Sequence, residues 1–70
     1  MLVHELGIAI KSRRKSLKIT QPHLADLAGI SINTLYKIEN GLTNPGIDII
    51  EKIAEVLGME LRLEVKKLPI

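Results

Sequence analysis

The segment Gln21 to Asn40 constrains this chain more than any other, because helical periodicity runs briefly, stops at a glycine and then resumes. Leu24, Ala25, Leu27 and Ala28 recur at helical spacing. Thr20 ahead of them can accept a hydrogen bond from a free first-turn amide. Pro22 falls where a missing N–H costs nothing. Gly29 can take the left-handed conformation that ends a helix and that a side chain would oppose. Ser31 is the next N-cap, and Leu35 and Ile38 form the buried stripe of a helix ending before Gly41. Two short helices joined by so short a turn cross steeply and need a small residue where they approach, here Ala25. Leu24, Ala28, Ile30, Leu35 and Ile38 then fill the angle, while Gln21, Asn33, Lys37 and Asn40 stay polar and outward. Such a hairpin can also be architecture alone.

Helix is the expectation for most of the remaining chain. Leu6, Ile10 and Leu17, flanked by Val3 and Ala9, predict a first helix from about Leu2 to Ser16. Asn44-Pro45-Gly46 reads as a loop. In the fourth helix, about Ile47 to Leu57, Ile47, Ile50, Ala54 and Leu57 make one stripe and Ile49, Ile53 and Val56 widen it. The apolar arc exceeds the ~100° stripe of a helix that only faces a core. Either the core is deeper than usual or part of the arc packs on a partner subunit. After Gly58 the period changes, and Leu61, Leu63 and Val65 alternate with Glu60, Arg62, Glu64 and Lys66 as in a strand. A lone strand in a helical domain leaves its backbone groups unpaired, so it calls for a partner edge.

Composition narrows the function. At 70 residues, 46% hydrophobic and 26% charged, the chain reads as one soluble globular domain. A core of this size usually needs a supplement. With no cysteine there is no disulfide and no thiolate metal site, and His4 and His23 alone do not make a zinc site. No metal or other cofactor is expected, and oligomerisation is the supplement that remains. The start Met1-Leu2-Val3-His4-Glu5 lacks the pattern of a signal peptide, so the expected location is the cytoplasm, with no membrane partner. Without a Cys nucleophile, a Gly-rich phosphate loop or a paired-carboxylate motif, no catalytic residues are assigned and an enzyme is not expected. The net charge is only +2, but Lys11, Arg13, Arg14, Lys15 and Lys18 form an acid-free run, and Asp48, Glu51, Glu55 and Glu60 lie later. Such a run is either a solvated helix face or attraction for an anionic partner.

From Leu6-Gly7 to Leu57-Gly58 the sequence resembles the Cro and phage-repressor type of helix-turn-helix protein, the XRE-like family. The resemblance rests on Arg13-Arg14-Lys15, Ile19-Thr20-Gln21, Leu24-Ala25, Ala28-Gly29-Ile30-Ser31, Thr34 to Gly41, Asn44-Pro45 and Ile53-Ala54. It implies a mainly α, compact four-helix (to five-helix) lambda-repressor-like DNA-binding domain over residues 1–58, with the motif at about 21–40. It implies a dimeric regulator of transcription, a homodimer on a palindromic double-stranded operator. Two departures stand out: His23 replaces the acid that often completes a capping box, and Gly46 replaces a Ser or Thr cap. Where relatives continue with a fifth helix, residues 59–70 are similar instead to the C-terminal strand of HipB-type antitoxins, which pairs across a dimer. A toxin partner, or a protein-interaction module with DNA binding secondary, is therefore the alternative.

By position in the resembled motif, Ile32, Asn33 and Lys37 are the base-contacting residues. Asn33 suits an adenine edge or a phosphate, and Lys37 suits guanine N7 and O6. Ile32 suits a thymine methyl or is an incidental surface residue. Tyr36 reaches a phosphate or lies over the core edge. Phosphate or flanking contacts are implied for Gln21, Ser31, Thr34, Asn40, Thr43 and Arg13, while Arg14 is available to pair with Glu39. Dimer contacts are expected from Ile49, Ile53, Val56, Leu61, Arg62, Leu63, Glu64 and Val65.

Overall fold

The computed structural model describes residues 3–66. Four helices follow one another: α1 (Val3–Ser16), α2 (Gln21–Ala28), α3 (Ile32–Glu39) and α4 (Ile47–Leu57). Each end has a physical cause. Thr20 Oγ1 accepts from the His23 N–H at 3.3 Å to start α2, and Gly29 ends it at φ 70°, its N–H bonded back to Asp26. Ser31 Oγ accepts from the Thr34 N–H at 3.0 Å to start α3. α4 begins at Gly46 with no side-chain cap, as the missing hydroxyl predicts. The first residue expected in α1, Leu2, lies outside the described residues.

α2 and α3 have eight residues each, too short to persist alone in water. The core holds them. Leu24, Leu35, Ile38, Ile53 and Leu57 are sealed from solvent, with Ile10, Ala25, Ala28 and Ile50 around them. α1 packs on α3 and α4, and α2 packs on α3 and α4. The α1–α3 crossing is so close that a Cβ on Gly7 would stand 2.3 Å from the Ile38 carbonyl oxygen and 2.8 Å from that of Glu39. Only a residue without a side chain fits there. Beside this crossing the Arg14 guanidinium donates to both carboxylate oxygens of Glu39, at 2.7 and 3.0 Å, and to the Ile19 carbonyl at 3.0 Å. The pair joins the end of α1 to the end of α3.

One expectation needs correction and another is not seen. Ile53 belongs to the core at 0% exposure and has no surface left for a partner. Steps of 100° put Ile50, Ile53 and Leu57 on one stripe, and that stripe, rather than the one through Ile47, faces inward; Ile47 is 67% exposed. Ile49 and Val56 remain half-buried at its edge. The C-terminal strand is not seen: among the described residues there is no strand, and 59–66 leave α4 as irregular backbone. A single chain offers this segment no second edge to bond. Leu63 and Val65 are fully exposed, whereas Met59 lies against the core. Residues 67–70 of the expected tail lie outside the described residues. No described helix is long and apolar enough to cross a membrane.

Candidate nucleic-acid interface

α3 divides cleanly into two faces. Leu35, Ile38 and Glu39 are buried, and Ile32, Asn33, Tyr36 and Lys37 are exposed. At 100° per residue those four span one contiguous outward arc. It carries an amide, a phenol, an ammonium and an aliphatic group and no acid. Ile32 and Tyr36 are each 50% exposed, so Tyr36 stands out from the core edge. Among the described residues Lys37 has no ion-pair partner.

The flanking residues are partly committed to holding this helix. Ser31 caps it and also donates from its hydroxyl to Thr34 Oγ1 at 2.8 Å. Asn40 Nδ2 donates to the Tyr36 carbonyl at 2.8 Å, closing the C-terminal end. Thr43 is half-buried in the loop that follows. Gln21 Nε2 donates to Glu39 Oε1 at 3.0 Å, a bond the sequence reading did not contain. In the first turn of α2, Pro22 has no N–H, and those of His23 and Leu24 go to Thr20 Oγ1 and the Thr20 carbonyl. The Gln21 N–H is the amide left for an anion at that end.

Arg13 stands apart from this group. Its Nε donates to the Leu57 carbonyl at 2.9 Å, where a cation opposes the negative end of the α4 dipole. Adjacent helical residues differ by 100°. With Arg14 turned to α3, Arg13 turns to α4. The basic run therefore contains two arginines bonded to the fold, of which Arg14 is buried, while Arg13, Lys15 and Lys18 are exposed.

Burial disfavours charge on Glu39, but hydrogen bonds from Arg14 and Gln21 and the charges of Arg14 and Lys11 outweigh it and hold the carboxyl below the usual glutamate range. The hydrogen bond to Glu39, opposed by burial, raises the Arg14 guanidinium further. The buried network thus stays ionised and locks the frame on which the exposed arc is carried.

Residues 10–63 match the family model described as helix-turn-helix, covering most of the described chain and the whole of α2 and α3. The chain belongs to the helix-turn-helix family. This helix-turn-helix domain is 36% identical over 55 residues to a Methanocaldococcus jannaschii protein whose name places it among HTH-type transcriptional regulatory proteins, and 38% identical over 56 residues to the immunity repressor protein of Bacillus phage phi105. Those matches cover 79% and 80% of the domain but only 17% and 39% of the relatives. An uncharacterized HTH-type transcriptional regulator of Methanothermobacter thermautotrophicus is 35% identical over 51 residues, covering 73% of the domain and 74% of the relative. In structure the domain is similar to the clp gene regulator ClgR from Corynebacterium glutamicum, with a TM-score of 0.81 and 25% identity over 84% of this chain and 63% of that one. HTH-type regulation of transcription is what the names of the two archaeal relatives state.

Proposed function

We propose that this protein is a sequence-specific, non-catalytic repressor that seats α3 in the major groove of double-stranded DNA, two copies sharing a palindromic operator. The observation that carries this reading is the acid-free outward arc of Ile32, Asn33, Tyr36 and Lys37 on a helix whose opposite face is sealed in the core. A groove-reading helix needs that division: one side fixed, the other free to meet base edges. Lys37 donates to a guanine edge, Asn33 to an adenine edge or phosphate, Ile32 packs on a thymine methyl, and Tyr36 reaches a phosphate. The Gln21 N–H, Ser31, Thr34, Asn40 and Thr43 supply flanking phosphate contacts. Arg13, held on α4, contributes charge at a distance. Repression follows the phage relative, whose name is immunity repressor.

Fluorescence anisotropy with fragments of the protein's own promoter region tests the reading. Lys37→Ala should weaken the preferred site by about 1–3 kcal/mol and relax base preference at one or two positions. Thr43→Ala should weaken all sequences alike. Equal losses on every sequence for both variants would remove Lys37 from base readout, and no binding at low salt by folded protein would sink the proposal. A second reading, an autoregulating antitoxin or an interaction module that neutralises a partner toxin, draws on the exposed Leu61, Leu63 and Val65. An autoregulating antitoxin would use the α3 arc as well, so the two readings are compatible; the interaction module alone is secondary because it leaves that arc without a use.

A further inference from the structure

Given the operator reading, on which this step rests, we infer that Lys18 is the cation of the basic run that holds a DNA phosphate, beside the start of α2, and that the fold gives up stability to keep it there.

All four helices end in the same way. A residue in the left-handed conformation bonds its N–H to the carbonyl three residues back, and the next residue bonds to the carbonyl five back. After α2, α3 and α4 that left-handed residue is a glycine, Gly29, Gly41 and Gly58, at φ 66–70°. After α1 it is Lys18, at φ 58°, among the described residues the one non-glycine with a positive φ. A Cβ in that conformation is opposed by its own backbone, so glycine is the residue the turn itself selects.

Nothing inside the fold asks for the lysine. Its side chain is exposed, and among the described residues it has no ion-pair partner. The α1 dipole does not need it either, because Arg13, Arg14 and Lys15 already occupy the last turn. Strain that the interior does not use points to a role outside it. Lys15 is exposed too, but a helix accepts lysine readily, so its presence says nothing further. Arg13 and Arg14 are bonded to the Leu57 carbonyl and to Glu39, and Lys11 is half-buried. The backbone that carries Lys18 is fixed on its far side: the Ile19 carbonyl accepts from Arg14 at 3.0 Å, Ile19 packs against the core and Thr20 caps α2. Three residues on, at most about 10 Å along the chain, stands Gln21 with its remaining amide. The Gln21–Glu39 bond sets this corner against the end of α3. A helix in the major groove runs between phosphate rims about 12 Å apart, and the ammonium of Lys18 projects from the corner that borders one of them.

Lys18→Gly moves stability and binding in opposite directions. It relieves the turn, so the thermal midpoint should rise by about 4–8 °C. It also removes the charge, so affinity for promoter fragments and for unrelated duplex should fall alike, by several-fold, and the log–log salt slope should shrink by about 1. Lys18→Arg should keep the slope of the unsubstituted protein. Lys18→Asn, neutral and tolerant of left-handed backbone, should lose it as Lys18→Gly does. Lys52→Gln removes an equal charge from the exposed face of α4 and should leave the slope unchanged, which separates a contact from a change in net charge. A stabilised Lys18→Gly protein with an unchanged slope would overturn the inference, as would an equal loss in Lys52→Gln. A Lys18→Gly protein no more stable than its parent would overturn the exchange of stability for binding. After any of these results the α3 reading stands if Lys37→Ala still relaxes base preference; it falls only if the unsubstituted, folded protein binds no fragment.

Discussion

Glu39 has a side chain with no solvent exposure, yet it is the charge that ties three elements together. Its carboxyl is depressed relative to an unfolded glutamate, so its contribution to stability is complete above about pH 4.3 and is lost as pH falls through the lower folded value. Glu39→Gln should destabilise the domain by about 3–5 kcal/mol, since Arg14 is left buried without a counter-charge. The variant should also lose part of the acid limb of the stability curve, read from urea midpoints at several pH values. If it does not fold, Gln21→Ala serves instead: removing one hydrogen bond should move the Glu39 titration up toward the ordinary value, followed by NMR. The Arg14–Glu39 pair was legible in the sequence, because it sits within a recognisable motif. Gln21–Glu39 was not, since an outward polar residue at a helix start is equally available to an anion and to a neighbouring carboxylate. The Arg13 bond to the Leu57 carbonyl was not legible for a different reason: a run of cations looks uniform along the chain, but the helix sends each member in a different direction.

At the level of elements, α1 and α3 meet where two opposing effects can be weighed. In an isolated helix Gly7→Ala would stabilise α1 by about 1 kcal/mol. Here the new methyl would meet two backbone carbonyls, and overpacking of that kind costs about 1–3 kcal/mol or more. The net sign should reverse, lowering the thermal midpoint, and DNA affinity should fall with it because the end of α3 must shift. A stabilised variant would show that the crossing yields more easily than its geometry says. The four helices were legible from apolar periodicity, reinforced by caps in α2 and α3, with Thr20, Gly29 and Ser31 all acting where their chemistry places them. The division of α4 was less so. Its wide apolar arc contains two possible stripes, and which faces inward depends on how α1 and α2 pack. The segment after Gly58 has a strand's alternation without a strand's hydrogen bonds, since a ladder belongs to two segments and a sequence describes one.

Taken whole, the molecule is longer than its core: the radius of gyration is 12.8 Å, against about 11 Å for a compact chain of this length, and the longest extent is 46 Å. The excess matches the departing C-terminal segment. With a net charge of only +2, attraction to DNA depends on where charge sits. Operator binding should weaken linearly on a log–log plot against salt with a slope near −0.9 per phosphate neutralised by a Lys or Arg side chain. Thr43→Ala, which removes no charge, should leave that slope unchanged, and a flat salt response would count against a phosphate-dominated interface. The separation of roles within α3 has an evolutionary reading. Leu35, Ile38 and Glu39 answer to the fold, and Ile32, Asn33, Tyr36 and Lys37 answer only to whatever lies outside it. Exchanges at exposed positions generally change stability by no more than about 0.5 kcal/mol. A lineage carrying this scaffold could therefore rewrite its vocabulary of recognised sites one word at a time, with selection for a new target scarcely opposed by selection for a folded protein.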